Sequence, residues 1–185
     1  MSTTTSTATV APAGTWTLDP VHSSAGFAVK HMVVATFRGR FEDVDAKLVA
    51  DEEGNARLEG IVSADSIVVK DENLAGHLKS PDFFDTARYP EVRFVSESLT
   101  RDGDELVAEG ELTIKDHTHP VVARGTITDP HVTLGDVEKI GLTLETKVDR
   151  TKFGLEWNAP LPRGGVALAD DVTITVELEL ARTEA

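Results

Sequence analysis

From Asp171 to Leu180 apolar and polar residues alternate without a break: Val172, Ile174, Val176, Leu178 and Leu180 against Asp171, Thr173, Thr175, Glu177 and Glu179. A period of two marks a strand with one face buried and one in water. The pattern recurs at Val44, Ala46, Leu48 and Ala50, at Leu58, Gly60, Val62 and Ala64, and at Val92 and Phe94. It returns at Leu106 to Ile114, at Val121 to Ile127, and at Ile140, Leu142, Leu144 and Val148. His22 to Phe41 reads as one long strand with bends at Gly26 and Gly39. Turn residues separate the runs at Asp51-Glu52-Glu53-Gly54-Asn55, Arg101-Asp102-Gly103-Asp104 and Asp116-His117-Thr118-His119-Pro120. Residues 71–85 break the rhythm. There Asp71 or Asn73 caps a short helix that stops before Pro81, with Leu74 and Leu78 on one face. About eight hairpin-connected strands leave no exposed edge if they close on themselves, which predicts an all-β, eight-stranded, antiparallel up-and-down barrel with one helical insert.

A barrel of this size is either filled by side chains or holds a small ligand. Ala46, Gly60, Ala64, Ala108, Gly110, Ala123 and Gly125 share the inward parity. Small inward residues leave volume, and interiors keep few large voids unless something occupies them. The same residues also suit sharp bends or close approach of the helix. A cavity lined this way is aliphatic, and its ligand is greasy.

The chain has 185 residues, 40% hydrophobic and 27% charged, which suits one soluble domain. A net charge of −14 repels phosphate backbones and argues against nucleic acid. No cysteine is present, so disulfides, thiolate metal sites and cysteine nucleophiles are excluded. The first fourteen residues, MSTTTSTATVAPAG, carry no basic region and no apolar run. They read as a flexible tail over residues 1–13, ahead of a barrel domain over 14–183, and the expected location is cytoplasmic.

Few residues carry chemistry. His31 shares parity with Phe27 and Val29, so it points inward and is placed to meet a ligand head group, a metal or a haem; a structural histidine bonded to backbone is the alternative. His117 and His119 fall on one side of an extended segment, but without a third ligand they read as a solvated turn. Arg150 is the candidate anchor for an anionic head group, with Lys30 second and surface ion pairing the alternative. The carboxylates form no paired constellation. No Ser-His-Asp order, phosphate loop or dinucleotide fingerprint appears, so no catalytic residue, metal site or required cofactor is assigned. The candidate ligand contacts are Phe27, Val29, His31, Phe37, Leu58, Val62, Leu74, Leu78, Phe94, Leu112, Leu142, Arg150, Phe153 and Trp157.

Several short blocks fall in a telling order. Gly14-Thr15-Trp16-Thr17-Leu18-Asp19-Pro20-Val21-His22-Ser23 precedes Phe27-Ala28-Val29-Lys30-His31-Met32 and Gly39-Arg40-Phe41. Then come His77-Leu78-Lys79-Ser80-Pro81-Asp82-Phe83-Phe84-Asp85, Tyr89-Pro90, Gly110-Glu111-Leu112-Thr113-Ile114-Lys115-Asp116, Phe153-Gly154-Leu155, Trp157-Asn158 and Gly164-Gly165. Together, from about Gly14 to Leu180, they resemble the YceI-like family of polyisoprenoid-binding proteins. The resemblance implies a lipocalin-like barrel with a long tunnel that carries an amphiphile such as an isoprenoid quinone or a polyprenyl phosphate. It also implies a homodimer. Release of a ligand buried in this way needs loop opening, or transient contact with a membrane or an acceptor enzyme. The chain departs from the family pattern at Val68-Val69 and Leu74-Ala75, where the family carries Asp-Thr and an Arg-Asp pair. A more apolar mouth follows. The alternative reading is an enzyme, or a haem- or metal-binding barrel, that uses His31 in the same cavity.

Overall fold

Wherever turn residues bound an alternating run, the run is a strand, and neighbouring runs pair antiparallel. The computed structural model describes residues 8–183. The strands are β1 (Gly14–Leu18), β2 (Ser24–His31), β3 (Ala35–Phe41), β4 (Val44–Ala50), β5 (Ala56–Ser63) and β6 (Ile67–Val68). After helix α1 (Glu72–Lys79) come β7 (Glu91–Asp102), β8 (Glu105–Ile114), β9 (His117–Ile127), β10 (His131–Val132), β11 (Glu138–Asp149) and β12 (Leu168–Thr183).

Eight of these strands close a ring in the order β11-β9-β8-β7-β5-β4-β1-β12, with β12 returning to β11. The chain is therefore a closed eight-stranded antiparallel barrel with one short helix. The ring opens out at one end because β12, 16 residues long, serves two neighbours. Its end at Leu180–Thr183 pairs with β1, while Val172–Glu177 pairs with β2. The β2–β3 hairpin and β6 extend the sheet from there, towards α1.

Helix α1 is capped as its sequence requires. The Asp71 carboxylate accepts from the Leu74 N–H at 2.9 Å, and the Ser80 N–H closes the other end on the His77 carbonyl. No helix among the described residues is long and apolar enough to cross a membrane.

Three local readings change. His22–Phe41 is a hairpin, not one strand: the chain reverses at residues 32–34, where Met32 (φ 52°) and Val33 (φ 67°) take the left-handed conformation. No glycine, proline or asparagine marks that reversal, and the alternation runs through it, so no turn signal was available. Gly39 makes no bend. It lies opposite Phe27, and a Cβ there would come within 2.5 Å of the Phe27 ring. The tail is shorter than expected. Val10 and Ala11 are buried, and the Pro12 carbonyl accepts from the Trp16 indole at 3.1 Å, because two apolar residues in a polar stretch suffice to cover the barrel end. The rest of the expected tail, residues 1–7, lies outside the described residues.

The small inward residues divide by role. Ala46, Gly60 and Ala123 border open space. Gly125 instead lets two strands approach, since a Cβ there would sit 1.7 Å from the Thr143 carbonyl oxygen. Gly110 does the same against Val95 and Ser96, beside the bulge between Ser96 and Ser98.

Candidate functional site: an apolar cavity

The barrel interior holds two apolar clusters. One, built on Trp16, Leu48, Leu106, Ile127, Ile140 and Leu180, fills the end beneath the N-terminal segment. The other, built on Ile67, Leu78, Phe83, Leu112, Val148 and Phe153, packs beneath α1. A cavity of about 410 Å³ lies among them. Its floor is Ala46, Leu58, Ala123, Leu144 and Leu178, which belong to the first cluster. The large side chains of that cluster named above do not reach the cavity, so that end is plugged. The tunnel implied by resemblance is here a blind pocket.

Strand alternation builds the walls. Phe27, Val29, Phe37, Val62, Phe94 and Leu112 all face in. Phe27 packs against Phe37 and Phe41 with ring centroids 6.1 Å apart in both pairs, and Phe41 meets Phe84 edge-on at 5.7 Å. The roof is Leu74, His77 and Leu78 of α1 with Phe83 and Phe84 beyond it. The His77 ring meets both Phe83 and Trp157 edge-on at 5.0 Å, and its Nε2 lies 3.0 Å from an Asp82 carboxylate oxygen. That cluster ties the helix to the loop after β11. The departures from the family pattern fall on this roof: Leu74 lines the cavity, and Val69 packs with the cluster beneath the helix.

Polar groups at the cavity are almost all engaged. Thr146 Oγ1 donates to the Val122 carbonyl at 2.9 Å, and Asp45 is exposed on the outward parity of β4. Arg150 borders the cavity, as expected, but its guanidinium is engaged by the protein itself. Its side chain is buried, and its guanidinium donates to the carbonyls of Leu155 (2.6 Å), Ala169 (2.8 Å) and Trp157 (2.9 Å), with Leu168 at 3.5 Å and Asp170 at 3.7 Å. It clamps the loop around Trp157 to the start of β12, spending four of its five N–H donors on carbonyls and turning towards Asp170. Burial lowers its pKa, and Asp170 and Asp149 oppose the shift. His31 differs: it is exposed at the rim, borders the cavity beside Met32, and has no hydrogen-bond partner among the described residues.

Of the other sequence candidates, Leu142 belongs to the plugged end and does not border the cavity. Phe153 is buried behind the wall, edge-on to His119 at 5.1 Å. Leu142 shares parity with the lining residues of β11, but parity cannot say how far along the barrel the empty space extends; Phe153 stands on a helical turn over residues 150–153, where strand parity does not apply. Phe41, Phe83, Phe84, Leu155 and Ile174 line the cavity without having been singled out. The paired phenylalanines just after the helix were the available signal.

Outside the cavity, His117 and His119 stand on β9 and not in the expected turn; His119 Nε2 donates to the Lys152 carbonyl at 2.9 Å, and His117 pairs with Asp116. Asp19, His22 and Glu179 gather ligand atoms as a metal site does. However, the Lys139 ammonium already sits 3.0 Å from Asp19 and 2.6 Å from Glu179 and serves as their cation. Hydrogen bonds from His22 and Lys139 hold the Asp19 carboxyl far below the usual carboxylate range; Asp19 in turn raises the His22 pKa.

A closed antiparallel barrel around a blind apolar pocket defines the class: a β-barrel with a ligand-sized interior and no assembled catalytic constellation among the described residues. The YceI-like domain family model matches residues 16–180, and the chain belongs to that family. UPF0312 proteins of Staphylococcus aureus strains USA300 and MRSA252 are 30% and 31% identical over 175 residues, which cover 91% of this chain and 98% of theirs. Among solved structures, BcnA of Burkholderia cenocepacia superposes with a TM-score of 0.71 at 20% identity, covering 88% of this chain and 98% of its own. A polyisoprenoid-binding domain from Saccharophagus degradans, implicated in plant cell wall breakdown, superposes at 0.65 with 13% identity, covering 91% and 98%.

Proposed function

We propose that the protein binds a long-chain lipophilic molecule of the isoprenoid class inside the barrel, with its polar end at the rim beside His31. One observation carries this reading: the pocket is walled by aliphatic and aromatic side chains, and its polar side chains, His31 and the Trp157 indole apart, are engaged by the protein itself or face outward. Such a site has little to offer a polar substrate and much to offer a hydrocarbon. Each buried methylene contributes about 0.8 kcal/mol. About ten of them give roughly 8 kcal/mol gross, comparable to an association cost of about 4–15 kcal/mol. Short chains therefore bind weakly and long ones bind well. The polyisoprenoid-binding domain among the structural neighbours supports the isoprenoid class.

Native mass spectrometry of the protein from its own organism, with organic extraction of what it carries, tests this. A stoichiometric adduct of isoprenoid mass is the expected result. A clean apo mass from gently handled protein that also fails to take up a polyprenyl probe overturns it. A Soret band in the same sample indicates haem in the cavity instead.

A further inference from the structure

The chain has 32 acidic residues among 185, yet the segments 20–41 and 157–169 have none. The fold brings both to one place. The Met32 N–H donates to the Ala167 carbonyl at 2.8 Å, and the Val33 methyl packs over Gly165. The tip so formed exposes Met32 (40%), Val33 (63%), Val34 (85%) and Val166 (46%). Met32 and Ala167 also border the cavity, so the tip is part of its rim. Around it, Lys30, Arg38 and Arg163 are exposed and make no ion pair among the described residues, whereas Arg40 pairs with Glu42. The acidic residue that ends the second segment, Asp170, is turned towards Arg150 at 3.7 Å.

We propose that this tip docks the barrel on an anionic lipid bilayer, with the 32–34 turn inserted among the headgroups and Lys30, Arg38 and Arg163 against the phosphates. The proposal rests on the reading of the cavity as a lipid site, since it sets the cavity rim on a membrane. Charge complementarity selects the partner. An exposed apolar point ringed by cations, on a body of net charge −14, fits an interface that is apolar within and negative at its surface. The acidic body does not forbid docking, because charges beyond about 8 Å are screened at physiological ionic strength. Size argues against a second copy as the occupant: four exposed apolar side chains fall far short of the roughly 20–30 residues a side in a stable protein interface. Val33 also holds a strained backbone. A β-branched residue at φ 67° is rare, and glycine would hold the turn more comfortably.

Flotation with phosphatidylcholine vesicles, plain and doped with phosphatidylglycerol, tests the proposal. The full chain should float with doped vesicles and lose that binding as salt is raised. K30Q and R163Q should each weaken binding about fivefold, and V33D/V34D should abolish it. Val33→Gly separates docking from folding: it should melt no lower than the parent yet bind vesicles less well. Failure to float with doped vesicles, or flotation unchanged in V33D/V34D, overturns the proposal. So does a concentration-dependent dimer that V33D/V34D dissolves, since a second copy then covers the tip. A fluorescent polyprenyl probe read in parallel keeps the two readings apart: probe uptake without flotation removes the docking proposal alone, and flotation without uptake removes the cavity reading alone.

Discussion

Replacing Arg150 by Met keeps an apolar stem and deletes the guanidinium. Three carbonyls, of Leu155, Ala169 and Trp157, then lose donors at 2.6, 2.8 and 2.9 Å. The Leu168 carbonyl keeps the Asn158 side-chain amide at 2.8 Å and is not stranded. Each hydrogen bond to a charged donor contributes about 1.5–3 kcal/mol, a gross loss of roughly 4–9 kcal/mol. Water entering the loop re-solvates some of these carbonyls, so the expected net loss is about 3–5 kcal/mol, as for other broken buried charge networks. For a chain of this length that lowers the melting temperature on the order of 10 °C. Calorimetry gives the shift. Titration with anionic and neutral amphiphiles, well below the melting range, gives affinity for the folded protein. The expectation is a large thermal shift with little selectivity between the two. A melting temperature within a degree or two of the parent, with affinity lost only for the anionic amphiphile, would refute the clamp and restore Arg150 as a head-group anchor.

Ala123→Leu adds three carbons at the cavity floor, where about 410 Å³ stands open. It should melt no lower than the parent, with up to about 2 kcal/mol gained at 0.8 kcal/mol per buried methylene, while the longest chain bound, read by titration with a homologous lipid series, shortens. Gly125→Ala and Gly76→Ala should move in opposite directions in thermal melts. The first drives a Cβ to within 1.7 Å of the Thr143 carbonyl oxygen and costs about 3 kcal/mol or more, whereas the second meets nothing within 4 Å in α1 and gains about 0.5–1 kcal/mol. The Asp19 network sets two pH limits on stability. The lowered Asp19 pKa stabilises the fold above the ordinary carboxylate range, and that contribution is lost as pH falls through its folded value. The raised His22 pKa stabilises it below about 6.5, and that contribution is lost as pH rises through the higher folded value. Asp19→Asn should flatten the pH dependence of denaturation at both limits; an unchanged profile would show the network to be idle.

The class of fold was legible because burial writes itself into strands with a period of two. Val172 to Leu180 and Leu106 to Ile114 needed only their alternation, and Asp71 marked the helix start by the chemistry of its cap. Parity likewise brought Phe27, Val29, Val62, Phe94 and Leu112 to the cavity. Parity is a local property, however. It gives the face of a strand but neither depth along the barrel nor what a side chain meets across it. Leu142 therefore fell in the plug and Gly125 at a strand contact instead of open space. Arg150 shows the same limit for charge. A lone arginine in an acidic chain looks free until the loop around Trp157 folds over it, and carbonyls distant from any motif then take its donors. The reversal at Met32 and Val33 was hidden because its strain is paid by the surrounding hairpin and not by a turn residue. By itself the sequence determined which faces are apolar and that they close into a barrel. Only the tertiary structure decided where that barrel is full, where it is empty, and which polar groups remain unsatisfied, since those depend on residues that meet across the interior from strands far apart in the chain.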